Sequence, residues 1–239
     1  MNPTFMLGGE LEVRRLGFGA MRIVKDPQEG VRVLRRAVEL GVNFIDSADI
    51  YGAGRSEEII AEALHPYPDG LVITTKGGLG WGLQDRIRDG RPEHLREACD
   101  ASLRRLKLER IDLYQLHRHD PEVPIEESIG ALVDLQSEGK IRMIGVSNFS
   151  LSQLRRAQAV TPIVSVQNQY NRGLVTSEDV LDACTEEGIA FMPWAPLGEG
   201  LTRGSAFELR WLLERSPVIL AIPGTSSVAH LEDNMLAVA

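Results

Sequence analysis

The segment Gly41-Val42-Asn43-Phe44-Ile45-Asp46-Ser47-Ala48-Asp49-Ile50-Tyr51-Gly52 decides the fold. Its first part, Val42–Ile45, is a short apolar run behind a helix-stopping glycine, which is the pattern of a buried strand. Its second part is polar, and it brings Asp46 to the end of that strand and Tyr51 into the following loop. We therefore expect a carboxylate and a phenol to lie on one rim of a sheet.

The rest of the chain repeats one unit, a short run of Val, Ile and Leu followed by apolar residues at helical spacing. The predicted strands are Leu16–Ala20, Val42–Ile45, Leu71–Thr75, Ile111–Leu116, Ile141–Val146, Ile163–Val166, Ile189–Trp194 and Val218–Ile222. The predicted helices are Pro27–Leu40, Ser56–Leu64 with Ser56 as N-cap, Pro92–Leu106, Pro124–Glu138, Leu151–Ala159, Ser177–Glu187, Ala206–Glu214 and Val228–Ala237. Before the first unit, Thr4–Leu7 and Leu11–Val13 flank a Gly8-Gly9 turn and predict a β-hairpin.

Eight strand-helix units predict an α/β fold, a closed (β/α)8 TIM barrel with the N-terminal β-hairpin capping the bottom. A doubly wound open sheet is the alternative, and it needs a glycine-rich phosphate turn after the first strand. The segment Gly17-Phe18-Gly19-Ala20-Met21-Arg22 has Arg where the third glycine belongs. A second glycine-rich segment, Gly77–Gly82, opens no helix, so we predict a flexible rim loop there. Residues 1–239 are expected to form a single domain.

Composition limits the classes of partner. The chain has 239 residues, 43% of them hydrophobic and 25% charged, which is ordinary for a globular domain. Its 26 basic and 34 acidic residues give a net charge of -8, which argues against nucleic acid or an anionic membrane as partner. The sequence has no basic N-terminal region with an apolar core behind it, and no apolar run approaches the roughly 20 residues of a membrane span. We expect a cytoplasmic protein in which Cys99 and Cys184 are buried free thiols.

Polar residues follow the predicted central strands, at the end where barrels of this kind carry their chemistry. They are Asp46, Thr74-Thr75-Lys76, Gln115-Leu116-His117, Ser147-Asn148 and Gln167-Asn168. Each one alone is more often a solvated or structural residue, but together they converge on one mouth. His117-Arg118-His119 also fits a metal-binding pair, since alternate strand residues share a face. Without a cluster of further ligands, we predict no metal.

Six segments together resemble the aldo-keto reductase superfamily, and they cover nearly the whole chain in the right order. They are Gly41–Ala48 with Tyr51-Gly52, Thr75-Lys76, Asp112–His117, Gly145–Phe149, Pro193–Gly198, and Ile222–Thr225 through Asn234. The resemblance implies a barrel reductase that transfers hydride from NADPH to an aldehyde or ketone. It also implies a catalytic tetrad, which falls here on Asp46, Tyr51, Lys76 and His117.

These four residue types suit the reaction. Hydride addition leaves an alkoxide that must receive a proton, and a free tyrosine, with a pKa of about 10, is a weak acid for that task. An ammonium about 4 Å away is worth up to roughly 4 kcal/mol at an effective dielectric constant of 20, enough to lower the pKa of a phenol by about one to three units. Lys76 is the candidate ammonium, and Asp46 would keep it charged and oriented. His117 would orient the carbonyl oxygen or assist proton transfer, and the sequence does not choose between these roles.

The resemblance implies that Ser147, Asn148 and Gln167 bind the nicotinamide carboxamide and that Trp194 stacks on its ring. The full set of expected cofactor-binding residues is Gly19, Met21, Asp46, Ser147, Asn148, Gln167, Trp194, Ala195, Pro196, Leu197, Gly198, Gly200, Ile222, Gly224, Thr225, Ser226, His230 and Asn234. Hydroxyls and backbone N–H groups before the last helix suit a 2′-phosphate. Many relatives have Lys and Arg where this chain has Gly224 and His230, so NADPH is preferred over NADH but less strongly.

Residues expected at the substrate mouth are Met21, Tyr51, Trp81, His117 and Arg118, with Trp194 beside them. They suggest an aromatic or otherwise apolar carbonyl compound, acted on by a monomer or small homo-oligomer. Compared with relatives, the chain looks shortened between residues 200 and 218 and at its C-terminus. The alternative function is an NADPH-binding regulatory subunit with little turnover, as some relatives serve a channel, and the complete tetrad favours catalysis over it.

Overall fold

The structure is a computed structural model and describes residues 2–81, 86–198 and 205–238. Its strands are β1 (Thr4–Leu7), β2 (Leu11–Arg14), β3 (Phe18–Gly19), β4 (Phe44–Asp46), β5 (Val72–Gly77), β6 (Leu79–Trp81), β7 (Arg86–Arg88), β8 (Ile111–Leu116), β9 (Ile141–Ser147), β10 (Ser165–Gln169) and β11 (Ala190–Trp194). Its helices are α1 (Pro27–Glu39), α2 (Arg55–Leu64), α3 (Pro92–Leu106), α4 (Ile125–Ser137), α5 (Leu151–Gln158), α6 (Glu178–Glu187), α7 (Ser205–Arg215) and α8 (Val228–Met235), and a 3-10 helix spans Ala20–Lys25.

Seven parallel strands form one curled sheet in the order β11-β10-β9-β8-β5-β4-β3. The segment after α7 closes the ring between its two ends, since Ile219 bridges Phe191 of β11 and Ala221 bridges Leu16 beside β3. The predicted (β/α)8 barrel is therefore confirmed.

Alternate residues along the strands face two different layers of the core, as the period of a strand requires. Ile45 and Ile73 pack outward against helices, whereas their neighbours Phe44 and Val72 point into the barrel. At the bottom of the interior, Leu7 and Val13 of the β1–β2 hairpin join the same inner cluster. The hairpin is tied on by Asn43, whose amide donates to Glu12 O at 2.9 Å and accepts from Arg14 N at 2.7 Å. The predicted cap of the barrel bottom is thus present.

The barrel is joined where its first and last strands meet by one buried arginine. The guanidinium of Arg15 donates to the backbone carbonyls of Leu213, Ser216 and Ile219, and also to that of Asn2. Arg15 is only 2% exposed, and burial lowers the pKa of its guanidinium. This side chain fixes the end of α7 and the closing segment to the start of the barrel.

The predicted first and eighth strands are shorter than expected. Only Phe18–Gly19 forms a regular strand in the first, and Ala20 already begins the 3-10 helix. The predicted eighth strand, Val218–Ile222, pairs through the two single bridges alone. It lies between Pro217 and Pro223, which have no N–H to donate to a ladder, although Pro223 O still accepts from Gly19 N at 3.2 Å.

Two other local predictions are wrong. The glycine-rich segment is not a flexible loop, because Leu79–Trp81 pairs antiparallel with Arg86–Arg88. Ser56 is not the N-cap of α2; the helix begins one residue earlier behind Gly54, whose φ of 91° suits glycine. The Ser56 hydroxyl instead donates to Ala20 O at 3.0 Å and accepts from Ser47. This bond ties α2 to the start of the 3-10 helix.

Cys99 and Cys184 are buried free thiols, as predicted. None of the helices in the described ranges combines the length and the apolar character that a membrane-spanning helix requires.

Candidate active site

A buried ion pair lies beneath the carboxyl-terminal rim of the barrel. Lys76, at the end of β5, donates from Nζ to Asp46 Oδ2 at 2.7 Å and to Ser47 O at 2.6 Å. The Lys76 side chain is fully buried and that of Asp46 is 3% exposed. Asp46 directly follows Phe44-Ile45 in β4, and Lys76 follows Thr74-Thr75 in β5, so the pair forms where these strands change from apolar to polar residues.

Two further polar residues of the sequence prediction adjoin this pair. Lys76 Nζ lies 5.2 Å from the centre of the Tyr51 ring, and the two side chains share a hydrogen bond. The Tyr51 and His117 rings meet edge to face at 6.0 Å between centroids. The structure therefore brings Asp46, Tyr51, Lys76 and His117 together in one cluster.

Electrostatics keep the lysine charged. Burial by itself lowers the pKa of Lys76, but the charge of Asp46, the nearby Tyr51 and hydrogen bonds from both outweigh it, so the pKa is raised overall. A buried ammonium with a fixed carboxylate partner is thus a permanent positive charge behind the phenol.

Two glutamines that hold Asp46 in place were only partly anticipated. Asp46 Oδ1 accepts from Gln167 Nε2 at 3.0 Å and from Gln115 Nε2 at 3.2 Å, and Gln115 also donates to Thr74 Oγ1 at 3.1 Å. Sequence analysis assigned Gln167 to the cofactor and gave Gln115 no role. An inward-facing Gln among apolar residues of β8 was the available signal, because a buried amide needs partners.

A second group of bonded side chains lies beside the cluster. Asn148, with a φ of 58°, donates to Ser147 Oγ at 2.9 Å and to His117 O at 3.1 Å. Its Oδ1 accepts from Trp194 Nε1 at 3.1 Å, and Ser147 Oγ donates to Gln167 O at 2.9 Å. Asn is one of the few residue types that tolerate a positive φ, which turns its amide toward the rim. The ends of β9, β10 and β11 are thereby joined into one polar wall.

A cleft of about 710 Å³ opens over these residues. It is lined by Gly19, Ala20, Met21, Arg22, Asp46, Tyr51, Leu79, Arg88, His117, Arg118, Ser147, Asn148, Gln167, Trp194, Ala195, Pro196, Leu197, Gly198, Ser205, Ile222, Pro223, Gly224, Thr225, His230 and Asn234. Lys76 lies below the floor of the cleft.

Most of the predicted cofactor and substrate residues are in this lining. Ser226 is not, although Thr225 before it is. Gly200 lies outside the described residues, as does the placement of the Trp81 side chain. Six lining residues were not predicted from the sequence: Ala20, Arg22, Leu79, Arg88, Ser205 and Pro223.

Two glycines of the cleft lining are in close contact. A Cβ on Gly224 would lie 2.6 Å from Gly19 O, and a Cβ on Gly19 would lie 2.7 Å from Ile222 O. The loop after Gly224 is ordered by Thr225 Oγ1, which accepts from Ser227 N at 3.1 Å, and α8 begins next. Glycines, hydroxyls and a helix N-terminus are groups that admit and bind a phosphate.

The whole cleft fits a dinucleotide. The polar wall and the Trp194 indole lie on one side of the segment that closes the barrel, and Gly19, which pairs with Asp46 of β4, lies on its other side. Within the described residues, no group of three or more His, Cys, Asp or Glu side chains is arranged to bind a metal ion.

The chain matches the model of a known family and is similar to several known proteins. The model of the aldo/keto reductase family matches residues 15–208. Pyridoxine 4-dehydrogenase of Escherichia coli is 39% identical over 265 residues, which is 98% of this chain and 92% of that protein. The chain is also similar to the solved structure of the holo form of aldo-keto reductase AKR11C1 from Bacillus halodurans, with a TM-score of 0.90 and 28% identity over 98% of this chain and 90% of that one. It is similar as well to an aldo/keto reductase from Klebsiella pneumoniae in complex with NADP and acetate, with a TM-score of 0.84 and 27% identity over 99% of this chain and 90% of that one.

Proposed function

The chain belongs to the aldo/keto reductase family and is an oxidoreductase, and on this premise we propose that it reduces an aldehyde or ketone to an alcohol with NADPH, using Tyr51 as the general acid. One observation carries the proposal: a fully buried Lys76–Asp46 pair lies directly behind a phenol that lines a dinucleotide-sized cleft. A buried charge pair costs desolvation energy, so its presence under a reactive phenol suits a chemical role.

The chemistry follows from the positions of the side chains. When bound, NADPH supplies the hydride that no protein side chain can supply. As the carbonyl carbon accepts the hydride, negative charge grows on the oxygen, and Tyr51 donates its proton there. The phenolate left behind is stabilised by the Lys76 ammonium, which Asp46 holds charged. His117, whose ring is in edge-to-face contact with Tyr51, would donate a hydrogen bond to the same oxygen.

Cofactor binding uses the rest of the lining. Ser147, Asn148 and Gln167 form the wall for the nicotinamide carboxamide, and Trp194, oriented by its bond to Asn148, provides the stacking surface. Thr225 follows Gly224, where the close glycine contact leaves room for the phosphates.

Two observations support NADPH over NADH. Arg22, Thr225 and His230 line the cleft, so a guanidinium, a hydroxyl and an imidazole are available for a 2′-phosphate. The similar Klebsiella pneumoniae enzyme was crystallised with NADP. The test is the ratio of kcat/KM for NADPH over NADH, and a ratio at or below one would contradict the preference.

An aromatic aldehyde is the favoured substrate class. Met21, Tyr51, Leu79 and Trp194 give the cleft apolar and aromatic surface near the tetrad. The name of pyridoxine 4-dehydrogenase indicates a substituted pyridine alcohol as the substrate of that relative. Pyridoxal therefore belongs with benzaldehydes in the first panel of substrates.

The experiment compares the wild-type protein with Tyr51→Phe. NADPH should quench tryptophan fluorescence in both proteins, and Trp194→Phe should remove most of that quenching. Turnover, followed as loss of NADPH absorbance with the aldehyde panel, should fall at least about a hundredfold in Tyr51→Phe, since general acid catalysis contributes about 10²–10⁴-fold. Undiminished turnover would refute the acid role. Cofactor binding without turnover of any carbonyl by the wild type would instead favour the regulatory function.

A further inference from the structure

The cleft has a charge opposite to that of the protein as a whole. Three arginines line it, Arg22, Arg88 and Arg118, although the chain has a net charge of -8. Asp46 is the one acidic residue among the described lining residues, and it is already paired with Lys76. A cleft lined by one sign of charge concentrates ligands of the opposite sign.

No ion pair within 4.0 Å joins any of these three arginines to another described residue. The acidic groups next to them in sequence are engaged elsewhere. Asp89, which follows Arg88, accepts from Arg91 at 2.7 and 2.8 Å. Asp120, two residues after Arg118, accepts the backbone N–H groups of Gly90 and Glu122, each at 3.0 Å.

Arg88 and Arg118 lie on the Tyr51 side of the cleft. Arg88 is opposite Leu79 in the β6–β7 hairpin, and residues directly opposite in an antiparallel pair share a face. Leu79 in turn belongs to the small apolar cluster that packs against Tyr51. Arg118 follows His117, the ring that meets Tyr51 edge to face.

Arg22 lies beside the loop proposed to bind the cofactor phosphates. It lies on the 3-10 helix that begins directly after Gly19, and Gly19 is the residue in contact with Gly224. It can therefore serve the phosphates of the cofactor, whereas Arg88 and Arg118 are left for another anion.

We propose that Arg88 and Arg118 form a subsite for an oxyanion on the substrate, so that the preferred substrates are carbonyl compounds carrying a carboxylate or phosphate group. The inference rests on the proposed reductase function and specifies its substrate class. Guanidinium groups bind these oxyanions with charge-assisted, often bidentate hydrogen bonds. The apolar surface near Tyr51 would hold the body of the substrate between its anionic group and its carbonyl.

The test compares substrates that differ in charge. They are 4-carboxybenzaldehyde, its neutral methyl ester, and 4-formylphenyl phosphate. The ester group withdraws electrons more strongly than the carboxylate, so intrinsic reactivity favours the ester. For the wild type we expect kcat/KM to be about tenfold higher for the acid than for the ester, mainly through KM, and this acid-to-ester ratio should fall as salt is added. The phosphate compound shows which of the two oxyanions the subsite prefers.

Arg88→Gln and Arg118→Gln should each lower the acid-to-ester ratio about tenfold, the loss expected for one charged hydrogen bond. Arg110→Gln is the matched control, because Arg110 is exposed and precedes β8 at the opposite end of the barrel. This control should leave the ratio unchanged. A wild-type ratio at or below one, or a ratio that neither cleft variant alters, would overturn the inference.

A binding measurement separates this inference from the proposed function. Terephthalate, which has no reducible carbonyl, should bind the NADPH-bound wild type at least about tenfold more tightly than neutral terephthalamide, and both cleft variants should lose that difference. Selective binding without turnover would refute the reductase and support the subsite. Turnover of the aldehydes without selective binding of terephthalate would support the reductase function and refute the subsite.

Discussion

Replacing Lys76 with methionine tests whether the buried ammonium serves the chemistry or only the fold. Methionine is unbranched and one atom shorter than lysine, so it keeps most of the side chain and removes its charge. At 5.2 Å from the ring centre, the ammonium stabilises a full negative charge on Tyr51 by about 3 kcal/mol at an effective dielectric constant of 20. If that charge is largely developed in the transition state, kcat for aldehyde reduction should fall about 200-fold.

The same substitution also affects stability, so a second variant is needed. Lys76→Met leaves Asp46 buried without its cation, and breaking a buried pair costs about 3 to 5 kcal/mol of unfolding free energy. In the double variant Asp46→Asn with Lys76→Met, both charges are gone, so much of that stability should return. Its kcat should stay low, because the phenolate still has no ammonium behind it.

The assay combines urea unfolding, NADPH fluorescence titration and turnover on one aldehyde for the wild type, both single variants and the double variant. If the double variant recovers both stability and kcat, Lys76 acts only through the fold. A folded, cofactor-binding Lys76→Met protein with kcat within about threefold of wild type would also refute the reasoning.

Three further predictions concern groups around the site. Burial, followed by the charge of Glu57, raises the pKa of Asp49 to about 7. Between about pH 4 and pH 7 the unfolded chain releases a proton that the folded protein keeps, so the free energy of unfolding should fall by at most about 1.4 kcal/mol per pH unit. Urea unfolding at a series of pH values should show that Asp49→Asn makes this fall smaller. Gly224→Ala, whose Cβ would lie 2.6 Å from backbone, should weaken NADPH binding at least about tenfold in fluorescence titration, whereas Gly130→Ala, with no atom within 4 Å, should not. Arg15→Met should lower unfolding free energy by roughly 3 kcal/mol in urea, because several buried carbonyls lose their donor; an unchanged midpoint would contradict that role.

The repeated strand-helix pattern made the barrel predictable. Short apolar runs such as Ile111–Leu116 can be buried on both faces only in a parallel sheet, and their polar last residues then share one rim. Lys76 and Asp46 could therefore be placed near each other from sequence. The resemblance to a family supplied the roles that spacing alone leaves open.

What the sequence did not reveal depends on contacts between distant segments. The β6–β7 hairpin follows from cross-strand pairing, which the glycine-rich segment around Gly80 does not signal by propensity. Gln115 looked like an ordinary strand residue, because its partner Asp46 lies 69 positions away in the chain. Arg88 lies on that hairpin, so its place in the cleft lining could not be predicted from the sequence, whereas Arg118 was predicted at the substrate mouth.

The segment that closes the barrel, residues 218–222, makes the stability of the barrel depend on bound ligand. It pairs with each neighbouring strand through a single β-bridge. It also brings Ile222 and Gly224 to the cleft, with Gly19 on one side and Trp194 on the other. A nucleotide lying across this junction would touch all three segments and oppose their separation. Occupancy should therefore raise the melting temperature in proportion to the logarithm of ligand concentration, and amide exchange should slow first at residues 218–222.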